Sequence, residues 1–444
     1  MVQQNRQVNL TSNLKAIFRS FSSRNYRLFF TGQLISLSGT WIQIIATSWL
    51  VYRLTNSAFT LGLVTFLSQV PSFFFAPFAG VYVDRWNKHK ALIFTQFVSM
   101  LQASTLAALT LTGNIKIWHI MLLSIILGLT NAFDMPIRQS FVIEMIENRE
   151  DLGNAIALNS SLVNLTRLIG PAIAGILVAK FGEGICFMIN AITFIAVIVA
   201  LLFMRIKIIK SEHTHMHAFV ELKEGFRYTF GFPPLRDTLV LLAVLSFATM
   251  QYTVLMPIFA RDILKGGSDT LGFLMASTGI GALIGAIYLA SRKTVLGLGR
   301  LMAAAALLFG FTIIIFAFSK NFVLSMILLF FSGAGFITVI ATSNTILQTI
   351  TDDDKRGRVM SFYTMAFMGM APFGSLAAGA IAQRIGGPLT IMISGILSIA
   401  CGTILTLRLP KLRKMVRPVY VKKGIIPEVA KGLQIAADFE YRQE

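Results

Sequence analysis

The chain has 444 residues, of which 55% are hydrophobic and only 13% are charged, and its mean hydropathy is +0.71. Soluble domains carry about a quarter charged residues, so this composition excludes an ordinary water-soluble protein and favours lipid as the surrounding solvent. The formal net charge is +19, which in a soluble protein would suggest a nucleic-acid partner.

Apolar stretches long enough to cross a bilayer follow one another along the chain. The pattern predicts twelve spans, at about 27–52, 58–82, 91–112, 118–143, 153–179, 185–205, 237–260, 269–290, 301–319, 322–350, 358–383 and 388–408. Most Lys and Arg residues fall on segments that lie on the same side of the membrane as the N-terminus. The exceptions are Arg53, Lys116, Lys180, Arg261, Lys265, Lys320 and Arg384, with Arg167 inside a span. The positive-inside rule therefore predicts a multi-pass protein of the cytoplasmic (inner) membrane with both termini in the cytoplasm. The basic excess is a topology signal, and we expect no nucleic-acid partner.

Glycines recur between the two halves of the chain at an offset of 204 residues. The pairs are Gly153 and Gly357, Gly170 and Gly374, Gly175 and Gly379, and Gly182 and Gly386. This repeat predicts an all-α membrane protein built from two pseudo-symmetric six-helix bundles. The expected domains are a cytoplasmic lead at 1–26, an N-terminal bundle at 27–205, a cytoplasmic linker with an amphipathic helix at 206–236, a C-terminal bundle at 237–408 and a basic cytoplasmic tail at 409–444.

Several predicted spans carry polar side chains that lipid would not accommodate. The first span is too polar to face lipid on all sides, because each unpaired polar group in hydrocarbon costs several kcal/mol. We therefore expect it to line a cavity together with polar residues of other spans. The third span, with Gln96 and Gln102, is interpreted as scaffold. The predicted cavity residues are Gln33, Trp41, Gln43, Asn131, Gln251, Tyr252 and Asn344.

A charged hairpin between the second and third spans has the spacing G-x-x-x-D-R-x-x-K-x-K, starting at Gly80. A helix N-terminus favours a nearby acid, so we expect Asp84 to face the start of the eleventh span near Gly357. Arg85 would then reach Asp134 or Glu144. The alternative is that Asp84 and Arg85 only anchor the loop among lipid headgroups. Lys88 and Lys90 are interpreted as plain positive-inside charges.

Asp134 is the one acid that we place within a predicted span, and such a residue indicates function by default. With Asn131 and Arg138 it lies on one helix face. As a coupling site, Asp134 would take up and release a proton. As a latch, it would stay ionised and paired with Arg85 or Arg138, and its position near the cytoplasmic end favours this second interpretation.

The fifth span contains Arg167, Gly170, Pro171 and Gly175. Small residues let a neighbouring helix approach closely, and proline removes a backbone donor, so this segment is assigned to gating or to simple helix packing. Arg167 needs a partner or a wet cavity, and both remain open; it is a second candidate for proton coupling. Arg356 and Gly357, in the charged turn before the eleventh span, are assigned to the gate.

These motifs resemble those of the major facilitator superfamily, and more narrowly its drug:proton antiporters, which include the enterobactin exporter and macrolide efflux proteins. The resemblance covers about residues 20–410 and rests on 49–53, 80–90, 134–139, 167–171 and 356–361. It implies alternating access and proton-driven export. Around Ser124–Gly128 the chain lacks the Arg that many proton-coupled relatives carry in the fourth span.

The polar and aromatic cavity predicts a bulky amphipathic organic substrate, such as a drug or siderophore, with protons and membrane lipid as further partners. Alternatives are a lipid or lysophospholipid carrier and a gradient-independent facilitator. The chain has no HExxH, Walker or Gly-x-Ser-x-Gly motif, so we expect no enzyme, metal or cofactor. We expect a monomer.

Overall fold

The structure, a computed structural model, describes residues 19–83, 86–146, 148–205, 218–292 and 294–426. Within these ranges, the side chains of 76–83, 149, 218–223 and 249–251 are not described. The described residues are helical almost throughout, and none of them lies in a β-strand.

The spans are numbered α1 to α12 in chain order. In the first half they are α1 (Arg24–Thr55), α2 (Ala58–Val83), α3 (Lys88–Leu111), α4 (Ile117–Met145), and α5 and α6, which together form the helix Leu152–Leu202. In the second half they are α7 (Pro233–Ile258), α8 (Ser268–Ala290), α9 (Leu298–Phe318), α10 (Phe322–Ile350), α11 (Arg356–Thr364 and Met370–Ile385, joined by a π-helical turn) and α12 (Gly387–Lys422).

A single glycine divides α5 from α6. Gly182 has φ 78° and ψ 170°, a conformation open to glycine and strained for other residues, and it breaks the long helix into two arms, 152–181 and 183–202. For this reason the described residues contain eleven continuous helices long and apolar enough to cross a membrane, and the divided one supplies two of the twelve spans. The predicted twelve-span, all-α fold is confirmed.

The second half repeats this break at the position that the glycine pattern indicates. Gly386, between α11 and α12, has φ 86° and ψ 159°, close to the values of Gly182 204 residues earlier. The other glycine pairs also have matching surroundings. Gly170 lies against Trp41 of α1, and Gly374 lies against Phe247 of α7, the first helix of its own half.

The observed helices differ from the predicted spans mainly at their ends. α1 begins at Arg24, three residues before the predicted start, and α7 begins at Pro233, inside the predicted linker. The largest difference is α12, which continues from the predicted end at 408 to Lys422. At 1.5 Å per residue, its 36 residues extend for about 54 Å, so the helix projects well beyond a bilayer core of about 30 Å.

The linker forms a helix, Ala218–Gly231, that packs against the start of α11. Its Glu224 pairs with Arg358 at 3.0 Å, and the rings of Phe226 and Phe230 lie 6.1 and 5.8 Å from that of Phe362. Burial raises the pKa of the Tyr228 phenol, which therefore stays protonated and donates a hydrogen bond to Asp352. We call the end of the bundles that carries this helix the linker end, and the opposite end the far end.

Candidate functional site at the bundle interface

The two bundles meet closely at the far end, through two pairs of glycines. An ideal Cβ built on Gly175 of α5 would lie 2.5 Å from the carbonyl oxygen of Ser268 and 2.8 Å from the Cα of Gly272 in α8. The second pair has the same arrangement: a Cβ on Gly379 of α11 would lie 2.6 Å from the Ala58 oxygen and 3.0 Å from the Cα of Gly62 in α2. These crossings leave no room for any side chain.

A polar cluster joins α1 to the end of α7 beside these glycines. The Tyr52 hydroxyl donates a hydrogen bond to Asp262, and the Arg261 guanidinium donates one to the Asn56 side chain at 2.7 Å. Arg261 also lies over the Tyr52 ring, 5.6 Å from its centroid. We call Tyr52, Asn56, Arg261 and Asp262 the far-end latch. Because two of its members belong to each bundle, any separation of the bundles at this end must break it.

A second polar contact lies between α2 and α11. The side-chain oxygen of Gln383 accepts hydrogen bonds from the Ser57 hydroxyl at 3.1 Å and from the Phe59 amide at 3.3 Å. Together with the latch and a bond from Ser268 to the Gly175 oxygen, these are the hydrogen bonds that join one bundle to the other among the described residues. All of them lie at the far end.

Polar and flexible side chains of α4 and α10 are exposed toward the linker end. Asn131 and Met135 of α4 are exposed, although both lie within a membrane span. On α10, Asn344 accepts a hydrogen bond from the exposed Gln348 at 2.5 Å. Among the described residues no hydrogen bond or close glycine crossing joins α4 to α10, and we call the space between them at the linker end the cleft. Asn131 and Asn344, both predicted to line a cavity, belong to these two helices.

Two further predicted cavity residues lie further from the linker end, on α1 and α7. Trp41 is half-buried and packs on Gly170, whose missing side chain provides the space for the indole. Tyr252 is buried, and its hydroxyl lies next to the hydroxyls of Thr253 and Thr278. The side chain of Gln251 falls outside the described residues.

Two other residues predicted to line the cavity lie inside the N-terminal bundle instead. Gln43 is 5% exposed; its amide donates to Gln102 at 3.0 Å and accepts from Asn190 at 2.6 Å, so it bridges α1, α3 and α6. Gln33 is 1% exposed and accepts a hydrogen bond from Arg138. The Gln43 amide and the Gln33 oxygen bind side chains of neighbouring helices, which explains how a polar α1 is accommodated without placing every amide in the cleft.

Asp134 lies at the centre of a buried network that links three helices. One carboxylate oxygen accepts hydrogen bonds from Thr95 and Gln96 of α3, each at 2.7 Å, and the other pairs with Arg138 one turn along α4. Arg138 continues the network to Gln33 of α1. The third span, interpreted as scaffold, contributes two polar side chains that hold this carboxylate.

The charged hairpin is described only in part. Gly80 lies in the last turn of α2, while Asp84 and Arg85, and with them the predicted contacts near Gly357, fall outside the described residues. Lys88 was interpreted as a plain positive-inside charge, but its ammonium pairs with Glu144 at 2.9 Å and both side chains are largely shielded from solvent. This pair joins the hairpin to the end of α4.

At the start of α11, the predicted gate residues lie on the protein surface. Arg356 pairs with Asp353, three residues earlier in the same turn. A Cβ placed on Gly357 would meet no atom within 4 Å, so this glycine makes no close crossing among the described residues.

Arg167 lies at the base of the cleft, where α5 crosses α8. A Cβ on Gly279 of α8 would approach its backbone oxygen at 3.2 Å. Arg167 is exposed although it lies midway along a membrane span, and Tyr252 of the other bundle lies near its guanidinium. No described residue forms an ion pair with it.

The far-end latch is the part of the site that the sequence analysis missed. Arg261 was noted only as an exception to the positive-inside rule. The signal available was the adjacent acid and base, Arg261 and Asp262, directly after a span on the side that carries few charges. Their partners in α1 lie some 200 residues away in the chain, and no local pattern indicates that pairing.

Comparison with known proteins agrees with this architecture. Over residues 15–424 the chain matches the family described as Transmembrane secretion effector. It is 26% identical over 374 residues to the Staphyloferrin A transporter of Staphylococcus aureus (strain NCTC 8325 / PS 47), covering 84% of this chain and 93% of that protein. It is 23% identical over 387 residues to the Multidrug efflux pump Tap of Mycolicibacterium fortuitum, covering 85% and 94%.

Among solved structures, the fold is similar to that of a POT family transporter in complex with a thioalcohol-conjugated peptide. The TM-score is 0.67 at 12% sequence identity, and the match covers 88% of this chain and 96% of the other. Together, the twelve crossings, the pseudo-symmetric halves and these matches establish that the chain belongs to the Transmembrane secretion effector family of the major facilitator superfamily, and that it is a multi-pass membrane transporter and not an enzyme.

Proposed function

We propose that this transporter exports a bulky amphipathic organic compound across the cytoplasmic membrane by alternating access, in exchange for protons. The proposal rests on the position of the contacts between the bundles. They close the interface at the far end, through two glycine crossings and the far-end latch, while polar residues of α4 and α10 are exposed toward the linker end. A transporter that loads from one side and releases to the other needs these two ends to be closed in turn.

The charge distribution supports the proposed orientation of the transporter in the membrane. The linker end carries the basic loops and the basic extension of α12, so the positive-inside rule assigns it to the cytoplasm. The cleft in this conformation is then the state that receives substrate from the cell. Two relatives, one named as a siderophore transporter and the other as a multidrug efflux pump, support organic compounds as the cargo.

The Asp134 network is the proposed site of proton coupling. It contains two buried polar atoms without a partner, the amide nitrogen of Gln33 and the side-chain oxygen of Gln96. A protonated carboxyl group needs an acceptor for its new hydrogen, and Gln96 can supply its spare oxygen by rotating its amide. The network is thus able to hold Asp134 in either protonation state. Protonation would release Arg138, and through it the contact between α4 and α1.

Flux in proteoliposomes tests the proposal. Purified protein is reconstituted, and transport of a hydrophobic dye such as ethidium is followed with and without an imposed pH gradient. We expect uphill dye movement that needs the gradient and stops when an uncoupler is added. Asp134→Asn is expected to abolish uphill movement while dye exchange down its own gradient persists. Lys320→Gln, which removes a charge at the exposed far end, serves as the control.

Other outcomes distinguish the alternatives. Dye flux that is insensitive to the pH gradient in the wild type refutes proton antiport and supports a facilitator. Movement of a fluorescent lysophospholipid with no dye transport supports a lipid carrier. Gradient-driven transport that survives in Asp134→Asn removes Asp134 as the coupling group.

A further inference from the structure

An unpaired arginine occupies the base of the cleft, within the membrane-spanning part of the protein. Arg167 lies midway along α5, and no described acid pairs with it. Asp134, which also lies within a span, already pairs with Arg138. Even the lowest estimates place the cost of an arginine at the centre of a membrane at about 2.5–3.5 kcal/mol. Arginines at this depth occur where they meet a pathway for solutes or a compensating charge.

The surroundings of Arg167 indicate a binding position. A Cβ on Gly279 of α8 would lie 3.2 Å from the Arg167 backbone oxygen, so this turn of α5 lies at the interface between the bundles, and Tyr252 of the other bundle lies near the guanidinium. Asn164, one turn earlier on α5, is also exposed. One turn later, Gly170 holds Trp41 against the same helix. A cation and an amide therefore lie within two turns of an aromatic surface on α5.

We infer that Arg167 anchors a carboxylate group of the transported substrate, whose apolar body packs toward Trp41. This inference rests on the proposed export function and narrows its substrate class to organic acids. A guanidinium offers two parallel donors that match the two oxygens of a carboxylate, and such paired bonds are about twice as strong as neutral ones. One uncompensated positive charge is neutralised by one carboxylate.

The position also explains how binding would be sensed by both halves. Arg167 belongs to the N-terminal bundle, and Tyr252 and Thr278 belong to the C-terminal bundle. A carboxylate held between the guanidinium and these hydroxyls would contact both bundles at once. The site lies on the linker-end side of the crossing between Gly175 and Gly272, so in this conformation it is reached from the cleft.

The test measures binding of three pyrene probes that share one aromatic body. These are pyrenebutyrate, pyrenebutanol and a pyrenebutyl trimethylammonium salt, which carry a carboxylate, a hydroxyl and a cation. Binding to the full-length protein in nanodiscs is followed by energy transfer from tryptophan to pyrene. We expect pyrenebutyrate to bind about tenfold or more tighter than pyrenebutanol, from its charge-assisted hydrogen bonds.

Variants at Arg167 separate substrate binding from a structural role. Arg167→Gln is expected to remove the preference for the carboxylate and to leave pyrenebutanol binding unchanged, whereas Arg167→Lys should keep part of the preference. Lys320→Gln removes the same amount of charge at the exposed far end and should change nothing. The inference is overturned if all three probes weaken together in Arg167→Gln, if the preference survives there, or if the cationic probe binds best to the wild type.

Because these measurements require no flux, they are independent of the export proposal. Carboxylate-selective binding in a protein that moves neither ethidium nor pyrenebutyrate under a pH gradient would uphold the anchor and refute the exporter. Gradient-driven export of ethidium with no carboxylate preference would do the reverse.

Discussion

Replacing Gly175 by alanine should open the far end of the transporter without unfolding it. The new Cβ would lie 2.5 Å from the Ser268 oxygen, so α5 and α8 must separate by about 0.9 Å to bring that contact to an ordinary 3.4 Å. The atoms that clash belong to backbone, which cannot rotate away. Overpacking of this kind costs about 1–3 kcal/mol. Since the contact exists only while the far end is closed, this cost falls on the closed state alone.

A cost of about 1–3 kcal/mol shifts a two-state equilibrium by about 5- to 150-fold. Gly379→Ala should have the same effect, because its Cβ would lie 2.6 Å from the Ala58 oxygen at the equivalent crossing of α11 and α2. Gly153 and Gly357 provide matched controls on the same two helices. A Cβ on either meets no atom within 4 Å, so alanine there adds a methyl group and nothing else.

The assay is the distance between spin labels at the far ends of the two bundles. Labels at Lys116→Cys and Lys320→Cys, both exposed, report their separation, with Cys186 and Cys401 replaced by alanine. We expect a new population at longer distance in Gly175→Ala and in Gly379→Ala, and the wild-type distribution in both controls. An unchanged distribution in Gly175→Ala, or a loss of thermal stability with no change in distance, would refute the reasoning.

Three other changes test separate parts of the structure. Tyr52→Phe keeps the ring beneath Arg261 but deletes the hydrogen bond to Asp262, which is worth about 1 kcal/mol. The ratio of open to closed populations reported by the far-end labels should therefore rise by a smaller factor, about fivefold. An unchanged ratio would mean that the latch does not hold this end closed. Asp134→Asn leaves the buried Arg138 without its counter-charge, at a cost of about 3–5 kcal/mol, and should lower the midpoint of thermal denaturation; an unchanged midpoint would contradict the pairing. In Gly182→Ala the added Cβ meets no neighbouring atom, but the alanine must adopt a positive-φ conformation. The substitution should therefore lower the free energy of unfolding by about 1–3 kcal/mol in a denaturation assay. An unchanged free energy of unfolding would contradict the backbone geometry.

The fold was predictable from local features of the chain. Apart from the end of α12, hydrophobic length places the spans within a few residues, since a helix that crosses lipid must be apolar over a fixed length. The repeat of glycines was equally informative, because each glycine marks a place where backbone geometry or a close crossing excludes side chains. Gly182 and Gly386 even share their dihedral angles, and Gly175 and Gly379 make equivalent crossings.

The polar networks were much less predictable, for a physical reason. A membrane span carrying Gln43 or Gln96 can satisfy its amide either in a wet cleft or on a neighbouring helix, and the sequence does not distinguish these solutions. Here both amides bind other helices of the N-terminal bundle. Tyr52 and Asp262 show the same limit, since their contact depends on the relative position of two separately folded bundles.

The sharp turns at Gly182 and Gly386 limit how each half can move. A single residue connects α5 to α6, and another connects α11 to α12. We therefore expect a displacement of α5 at its crossing with α8 to carry α6 with it. We also expect opening of the far end to be a rotation of whole bundles, in which the small gap needed at one glycine becomes a wider movement at the distant ends of the same helices.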